Sequence, residues 1–120
     1  MTEQDGFEVA ERFMALDKPP TAYLCSSSLL AMGVARAAKQ RGLTIGKDIA
    51  LVAHDDVLQV IRTENLEVPL TVIRAPIRNG GVGVADCAIK LMKNPRAELS
   101  QVVEPVELVI RESSCPAPKN

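Results

Sequence analysis

The 120-residue sequence predicts an α/β fold in which a parallel sheet of βαβ units lies between helices as a three-layer structure. Short apolar segments alternate along the chain with longer segments whose apolar residues recur at helical spacing. Aromatic residues make up only 2% of the chain, so Val, Ile, Leu, Ala and Met must form the core. That composition suits buried parallel strands covered by helices.

The first predicted helix has a capped start and a proline stop. Apolar residues recur at helical spacing from Phe7 to Leu16, after Asp5-Gly6, which can cap the start. Lys18-Pro19-Pro20 ends the helix, because proline cannot continue its hydrogen bonds. Thr21–Cys25 then predicts a short buried strand.

The next segment predicts a helix and a second strand, which together with the first strand complete a right-handed βαβ unit. The three serines at 26–28 predict a turn and an N-cap, with Ser28 the expected cap. Gly42 lies where a left-handed residue ends many helices. Ile49–Ala53 predicts the second strand. The inward face of the helix comprises Leu30, Val34, Ala37 and Ala38.

The middle of the chain predicts a short helix over Val57–Ile61, followed by a polar loop from Arg62 to Glu67. Pro69 then introduces a third strand at Leu70–Ile73, since proline is tolerated at the start of a strand.

The last third predicts a long helix and an edge strand. Asn94-Pro95 ends the helix, and the glycine-rich stretch Asn79–Gly83 is expected to be a flexible lead-in to it. A strand is expected within residues 102–110, broken at Pro105, and residues 113–120 are expected to be a flexible tail. The apolar stripe of the helix comprises Val82, Ala85, Ala88, Ile89 and Met92.

Charge and cysteine content exclude several classes of function. The formal net charge is −1 and basic residues are dispersed among acidic ones, so these residues alone are not expected to bind DNA, which requires a concentrated basic surface. Cys25, Cys87 and Cys115 are far apart and form no C-x-x-C pair, which disfavours a disulfide framework or a zinc site. No cofactor is expected. The acidic N-terminus lacks the pattern of a signal peptide, so a cytoplasmic location is expected.

Two polar stretches follow neighbouring strands of the predicted sheet, where ligands of open α/β sheets bind. They are Ser26-Ser27-Ser28 and His54-Asp55-Asp56. Carboxylates accept hydrogen bonds from paired hydroxyls, while serine hydroxyls and N–H groups at a helix start donate. This mixture favours a neutral polyol or sugar. An anion at the helix start remains an alternative, although two adjacent carboxylates would repel it.

Simpler roles compete with ligand binding at each of these positions. Ser28 can be a plain N-cap, and Asp55 and Asp56 can cap the short helix that follows. His54 is the only histidine of the chain and is expected to form a wall of the cleft rather than a metal site. A catalytic triad of Cys25, His54 and Asp55 is disfavoured because Cys25 ends a buried strand. Asn79–Gly83 lacks the spacing of a dinucleotide-binding loop.

Four segments resemble the LacI/GalR family of transcription regulators. Ser26–Ala37 resembles the family pattern A-N-D-x-x-A-x-G-x-x-x-A, and Gly42–Asp56 resembles G-x-x-[VI]-P-x-D-[VI]-x-[VI]-x-G-[FY]-D-D. Pro69–Arg74 resembles P-x-L-T-T-[VI], and Glu107–Ser114 resembles E-L-[VI]-x-R-x-S-T. The four segments occur in the family order with similar spacing and span nearly the whole chain.

The resemblance implies that residues 1–112 are the C-terminal part of an effector-binding and dimerisation domain, half of a periplasmic-binding-protein-like (type I) fold. Its DNA-binding helix-turn-helix is absent from these residues. By position, Ser27, Asp55 and Ala75 fall at effector contacts, and Ser28 and His54 complete the expected ligand-binding set. The positions of Leu29 and Met32 suit the dimer contact of the family.

The sequence departs from the family pattern at the expected pocket. Ser27-Ser28 replaces the usual Asn-Asp, Ala53 replaces glycine and His54 replaces an aromatic residue, so the departures leave the expected fold but put sugar specificity in doubt.

The expected function is therefore effector sensing for a repressor that controls operator DNA. Half of a two-lobed domain is expected to self-associate through the face meant for its other lobe. A solute-binding protein of a transport system, a free-standing interaction module and a small hydrolase using Cys25 or Ser27 are the alternatives.

Overall fold

A computed structural model of the chain describes residues 2–55, 62–98 and 101–114. The short helix predicted over Val57–Ile61 lies outside these residues. The elements in chain order are α1 (Glu3–Met14), β1 (Ala22–Cys25), α2 (Ser28–Gln40), β2 (Ala50–Asp55), a single 3-10 turn (Thr63–Asn65), β3 (Thr71–Arg74), α3 (Ile77–Lys93) and β4 (Glu107–Val109).

The strands form one sheet in the order β1-β2-β3-β4. β1, β2 and β3 are parallel neighbours, and β4 pairs antiparallel with β3. The α/β class and the parallel βαβ order predicted from the sequence are thereby confirmed. The carboxyl ends of the three parallel strands lie at the same edge of the sheet.

Among the residues that the structure describes, one helical layer covers the sheet, and small aliphatic side chains fill the space beneath it. α2 packs against β1 and β2, and α1 packs against α2. Leu51, Leu70 and Val72 are almost fully buried, and burial of such side chains contributes about 1.5–3 kcal/mol each. The predicted inward face of α2 is confirmed, since Val34, Ala37 and Ala38 are buried and Leu30 packs against the core.

The start of α1 differs from the prediction. The helix begins at Glu3 with Thr2 as its N-cap, and Thr2 and Asp5 form a reciprocal capping box in which the Asp5 N–H donates to Thr2 Oγ1 at 3.2 Å. Gly6 lies inside the helix rather than before it. The prediction took Asp5 for a residue at the N-cap, but Asp5 lies at the third helical position, where its carboxylate accepts from the N–H of the N-cap residue Thr2. An acidic residue is common at both positions, so the sequence alone does not distinguish them.

Gly6 and Gly33 allow α1 and α2 to approach each other closely. A Cβ on Gly6 would overlap the backbone of Leu30, and a Cβ on Gly33 would overlap the backbone of Glu3 and Phe7. Backbone cannot move aside as a flexible side chain can, so the contact requires glycine at both positions. Gly42 ends α2 as predicted, with φ of 69° and the Leu43 N–H donating to the Ala38 carbonyl at 2.9 Å.

α3 does not provide the second helical layer that the sequence predicted. None of its residues is buried in the part of the chain that the structure describes, and on the uncovered face of the sheet Leu24 is 75% exposed. The radius of gyration is 18.2 Å, against about 14 Å for a compact chain of this length. α3 therefore projects from the body formed by the sheet, α1 and α2.

The glycine-rich stretch Asn79–Gly83 is part of α3, so the predicted flexible lead-in is wrong. Gly80, Gly81 and Gly83 have no positive φ, and a Cβ at each would meet nothing within 4 Å. Neither a turn nor a close contact requires glycine there. The helix persists because the surrounding residues favour it and three glycines lower its stability without forbidding it.

The expected tail begins too early. Ser113 is fully buried, and its N–H donates to the Pro69 carbonyl at 3.1 Å. The polar character of Ser113 and Ser114 suggested a frayed end, but both hydroxyls are hydrogen-bonded to the sheet, Ser113 Oγ to the Leu51 carbonyl and Ser114 Oγ to Thr71 Oγ1. The ordered body extends at least through Ser114, and the rest of the expected tail lies outside the described residues.

Candidate ligand-binding site at the carboxyl edge of the sheet

The two polar stretches predicted to meet do meet. Cys25 of β1 and Ala53 of β2 are register partners, so the serines that follow Cys25 and the His54 that follows Ala53 lie at the same edge of the sheet. His54 is in turn the register partner of Ile73 in β3. Ala75 comes directly after β3, at that same edge.

Ser27, rather than Ser28, is the N-cap of α2. The Leu30 N–H donates to Ser27 Oγ at 3.3 Å, which uses one of the acceptor positions of this hydroxyl and leaves its proton free to donate. The expected cap at Ser28 is wrong because the helix starts one residue earlier than its apolar stripe indicates.

Ser28 is the first residue of α2 and is 6% exposed. Its Oγ has no hydrogen-bond partner and no solvent-accessible surface among the described residues. A buried hydroxyl without a partner is costly, by about 1–3 kcal/mol. In this conformation Ser28 does not present its hydroxyl to solvent, whereas the partly exposed Ser27 can reach a ligand.

His54 and Asp55 belong to β2, which is longer than predicted, so these residues end the strand instead of following it. The His54 side chain is partly exposed. The side chain of Asp55, and the whole of Asp56, lie outside the described part of the chain. Ala75 is partly buried, and its carbonyl accepts from the Ile77 N–H at 2.9 Å as the chain turns into α3.

Arg74 is a residue of this edge that the sequence did not predict. Its register partners are Asp55 on β2 and Glu107 on β4, and its Nη1 lies 3.8 Å from Glu107 Oε2. Arg74 could have been identified as a residue of this edge from its position, because it is the last residue of β3, a strand that the sequence predicts well.

Cys25 lies beneath the same edge but is poorly suited to nucleophilic chemistry. Burial raises the pKa of its thiol to about 11, so the thiolate form is rare at neutral pH. The arrangement thus disfavours the triad of Cys25, His54 and Asp55. Among the described residues, no cluster of three His, Cys, Asp or Glu side chains could hold a metal ion.

Of the two residues expected at a dimer contact, Leu29 is exposed and Met32 is partly buried. Leu29 is 37% exposed, and Met32 lines an apolar groove of about 430 Å³ that opens between α2 and the segments before β2 and β3. Lys39 and Glu67 form an ion pair of 2.7 Å at this groove. Other lining residues include Ala35, Leu43, Ile45, Leu66 and Leu70.

None of the helices that the structure describes is both long and apolar enough to span a bilayer.

Comparison with known proteins identifies the family. Residues 1–114 match the periplasmic binding protein-like domain family. The HTH-type transcriptional regulator AglR of Rhizobium meliloti (strain 1021) is 44% identical over 118 residues, which are 98% of this chain and 33% of the relative. The chain thus spans about a third of the length of the curated relatives that it matches.

Solved structures agree with this assignment. The lac repressor dimer bound to operator and the anti-inducer ONPF matches with a TM-score of 0.80 and 27% identity, over 96% of this chain and 39% of that one. A LacI family transcriptional regulator from Enterococcus faecium with bound ribose has the same fold, with a TM-score of 0.80, 23% identity and coverage of 98% and 42%.

The chain belongs to the periplasmic binding protein-like domain family. Within it, its relatives are LacI-type transcription regulators, and it corresponds to part of their effector domain.

Proposed function

We propose that the chain is the effector-sensing and dimerising part of a LacI-type transcription regulator that acts in the cytoplasm. It binds a small polyhydroxylated molecule, a sugar or a related polyol, at the carboxyl edge of the sheet. Ser27, Ser28, His54, Asp55 and Ala75 form its share of the pocket, and no catalytic step is involved.

The observation that carries the proposal is the convergence of three strand ends on one edge. The capping residue of α2, the end of β2 and the residue after β3 all lie there, and open α/β sheets bind ligands at this place. The Ser27 hydroxyl, the His54 ring and the Asp55 carboxylate supply both donors and acceptors, which suits a sugar hydroxyl because it both donates and accepts.

The residues that depart from the family pattern bear on the choice of ligand. Ser27 has a hydroxyl where the family commonly has an amide, so it offers a shorter and less directional contact. His54 offers a ring nitrogen where an apolar aromatic face is usual. A ligand with an additional hydroxyl facing His54 therefore fits better than one that stacks an apolar sugar face there.

The rest of the proposed regulator would lie outside residues 1–114. Ribose is bound by the Enterococcus faecium regulator, whose chain is more than twice as long as this one. We place the second wall of the pocket and the operator-binding segment in the parts of the relatives that this chain does not cover. In the intact regulator, the effector would shift the equilibrium between two domain arrangements and thereby change operator affinity.

Two exposed apolar surfaces support the proposed dimerisation. On α2, Met32 lines the apolar groove and Leu29 is 37% exposed, and the projecting α3 exposes most of its apolar side chains. Exposed apolar surface of this extent marks interaction sites. We assign the α2 side to the contact between regulator copies and the α3 side to the other lobe of the domain. Without that lobe, α3 drives self-association of the isolated chain.

The ligand site can be tested by titrating the isotope-labelled chain with a panel of pentoses, hexoses, disaccharides and polyols at millimolar concentrations, followed by two-dimensional NMR. The expected result is a saturable change in the amide shifts of Ser27, His54 and Ala75 with at least one sugar. His54→Ala should weaken that binding, whereas the matched variant Thr44→Ala, on the exposed loop before β2, should not. Changes confined to other residues, or none with the whole panel, would overturn the ligand assignment.

A further inference from the structure

The body and the projecting part of the chain are joined at two places only, in the described residues. β3 leaves the sheet at Arg74 and continues through Ala75-Pro76 into α3, and the chain returns through residues 101–106 into β4, which begins at Glu107. We call the projecting part, residues 75–98 and 101–106, the arm. Since α3 buries none of its residues, packing does not fix the angle of the arm.

Arg74 lies at the first of these two junctions, which we call the exits, and Glu107 lies at the second. They form the last register pair of the β3–β4 ladder, so Ala75, which follows β3, and Val106, which precedes β4, already belong to the arm. Their side chains form an ion pair, with Arg74 Nη1 and Glu107 Oε2 separated by 3.8 Å.

The surroundings of Arg74 make the pair more than a solvated surface contact. Only 35% of its side chain is exposed, and its Nε is buried without a hydrogen-bond partner among the described residues. A guanidinium that has lost part of its hydration gains more from a nearby carboxylate than one in bulk water. Glu107, at 69% exposed, brings the compensating charge from the returning strand.

We infer that Arg74 and Glu107 form a latch that holds the two exits together and so fixes the orientation of the arm relative to the sheet. While the ion pair is formed, the end of β3 and the start of β4 move together, because the two strands cannot separate there without breaking the charged pair. With the latch broken, the β3–β4 ladder frays from this end, and α3 and the returning segment move independently. This inference concerns the chain itself and does not depend on a ligand.

Amide hydrogen exchange of the whole chain, measured by NMR, tests the latch. Glu107→Gln should increase the exchange rates of the β4 amides and of the first turn of α3 by about two- to five-fold, the range of exposed and cross-strand ion pairs. Arg74→Gln should raise the same exchange rates, and the double variant Arg74→Gln with Glu107→Gln should exchange no faster than the faster of the two single variants, because both substitutions remove the same contact. Amides of β1 and α2 should be unchanged in all variants.

A matched control uses an ion pair of the body. Glu67→Gln breaks the Lys39–Glu67 pair and should leave exchange in the arm unchanged. A measurement without any mutation adds an independent check, since 0.5 M salt should speed exchange at the exits of the unmodified chain through screening. Exchange in β4 and the first turn of α3 that is unaffected by Glu107→Gln and by salt, or that is faster in the double variant than in either single variant, would overturn the inference.

Discussion

Ser113 and Leu51 form two hydrogen bonds with each other near the amino-terminal ends of β2 and β3. Ser113 Oγ donates to the Leu51 carbonyl at 2.6 Å, and the Leu51 N–H donates to the Ser113 carbonyl at 2.8 Å. The same Oγ accepts from the Thr71 N–H at 2.7 Å. The pairing of β2 with β3 begins only at Val52 and Thr71. On the amino-terminal side of that pair, Ser113 lies between the two strands and links them through its hydrogen bonds to Leu51 and Thr71.

Ser113→Ala should lower the free energy of unfolding by about 1–3 kcal/mol, because it leaves the Leu51 carbonyl and the Thr71 N–H buried without partners. Urea unfolding followed by circular dichroism measures the change. Ser114→Ala should cost less, since Thr71 Oγ1 keeps its bond from the Arg111 N–H at 2.8 Å. Equal losses in both variants would show that Ser113 has no special role in joining the strands.

Gly33→Ala should destabilise the chain by about 1–3 kcal/mol, the cost of overpacking where backbone cannot move aside. The added Cβ would meet the backbone of Glu3 and Phe7 and push α1 away from α2. Gly81→Ala is the matched control, because it lies in a helix with open space around it. That variant should raise helix content without loss of stability. A stable Gly33→Ala would contradict the close helix contact.

The thiol of Cys25 should make stability depend on pH in the alkaline range. Burial raises its pKa from 9.0 to about 11, so folding favours the protonated form. This contribution is complete below about pH 9 and is lost as the pH rises toward 11, with a limit on the order of 2–3 kcal/mol. Urea unfolding under reducing conditions at pH 7, 9 and 10.5 should show a steeper loss for the unmodified chain than for Cys25→Ala. Parallel curves would contradict the raised pKa.

The isolated chain should self-associate through the apolar stripe of α3. Val82 and Ile89 are 58% and 49% exposed and lie on one face of the helix. Replacing both by glutamate should shift the sedimentation profile toward the monomer. Val84→Glu with Leu91→Glu adds the same charge on the opposite face and should have the smaller effect. A chain that is already monomeric at high concentration would contradict this prediction.

Periodicity and boundary residues were enough to predict the body of the fold. The strands β1, β2 and β3 fall within about two residues of their expected positions because each is a short apolar run bounded by polar residues or proline. Gly42 was predicted because only a left-handed residue suits that helix end. α3 was predicted as a helix, but its lack of packing was not, because an apolar stripe reports what a helix can bury and not what lies beside it.

The candidate site was predicted in outline rather than in detail. The rule that ligands bind at the carboxyl edge of a parallel sheet was sufficient to select Ser27 and His54, which the structure places at that edge. Which serine caps α2 depends on where the helix starts, and three consecutive serines give no local signal for it. The ion pair of Arg74 escaped prediction because its partner is 33 residues away along the chain, in a strand too short to align from sequence.

The size of the native product that contains this sequence tests the central claim most directly. An antibody raised against the chain would be used on extracts of its source cells. If the chain is the effector-sensing part of a LacI-type regulator, the blot should show a product about three times its mass of 12.9 kDa, since the chain covers 33% of its relative. A single product at 12.9 kDa would contradict the account and favour a free-standing module.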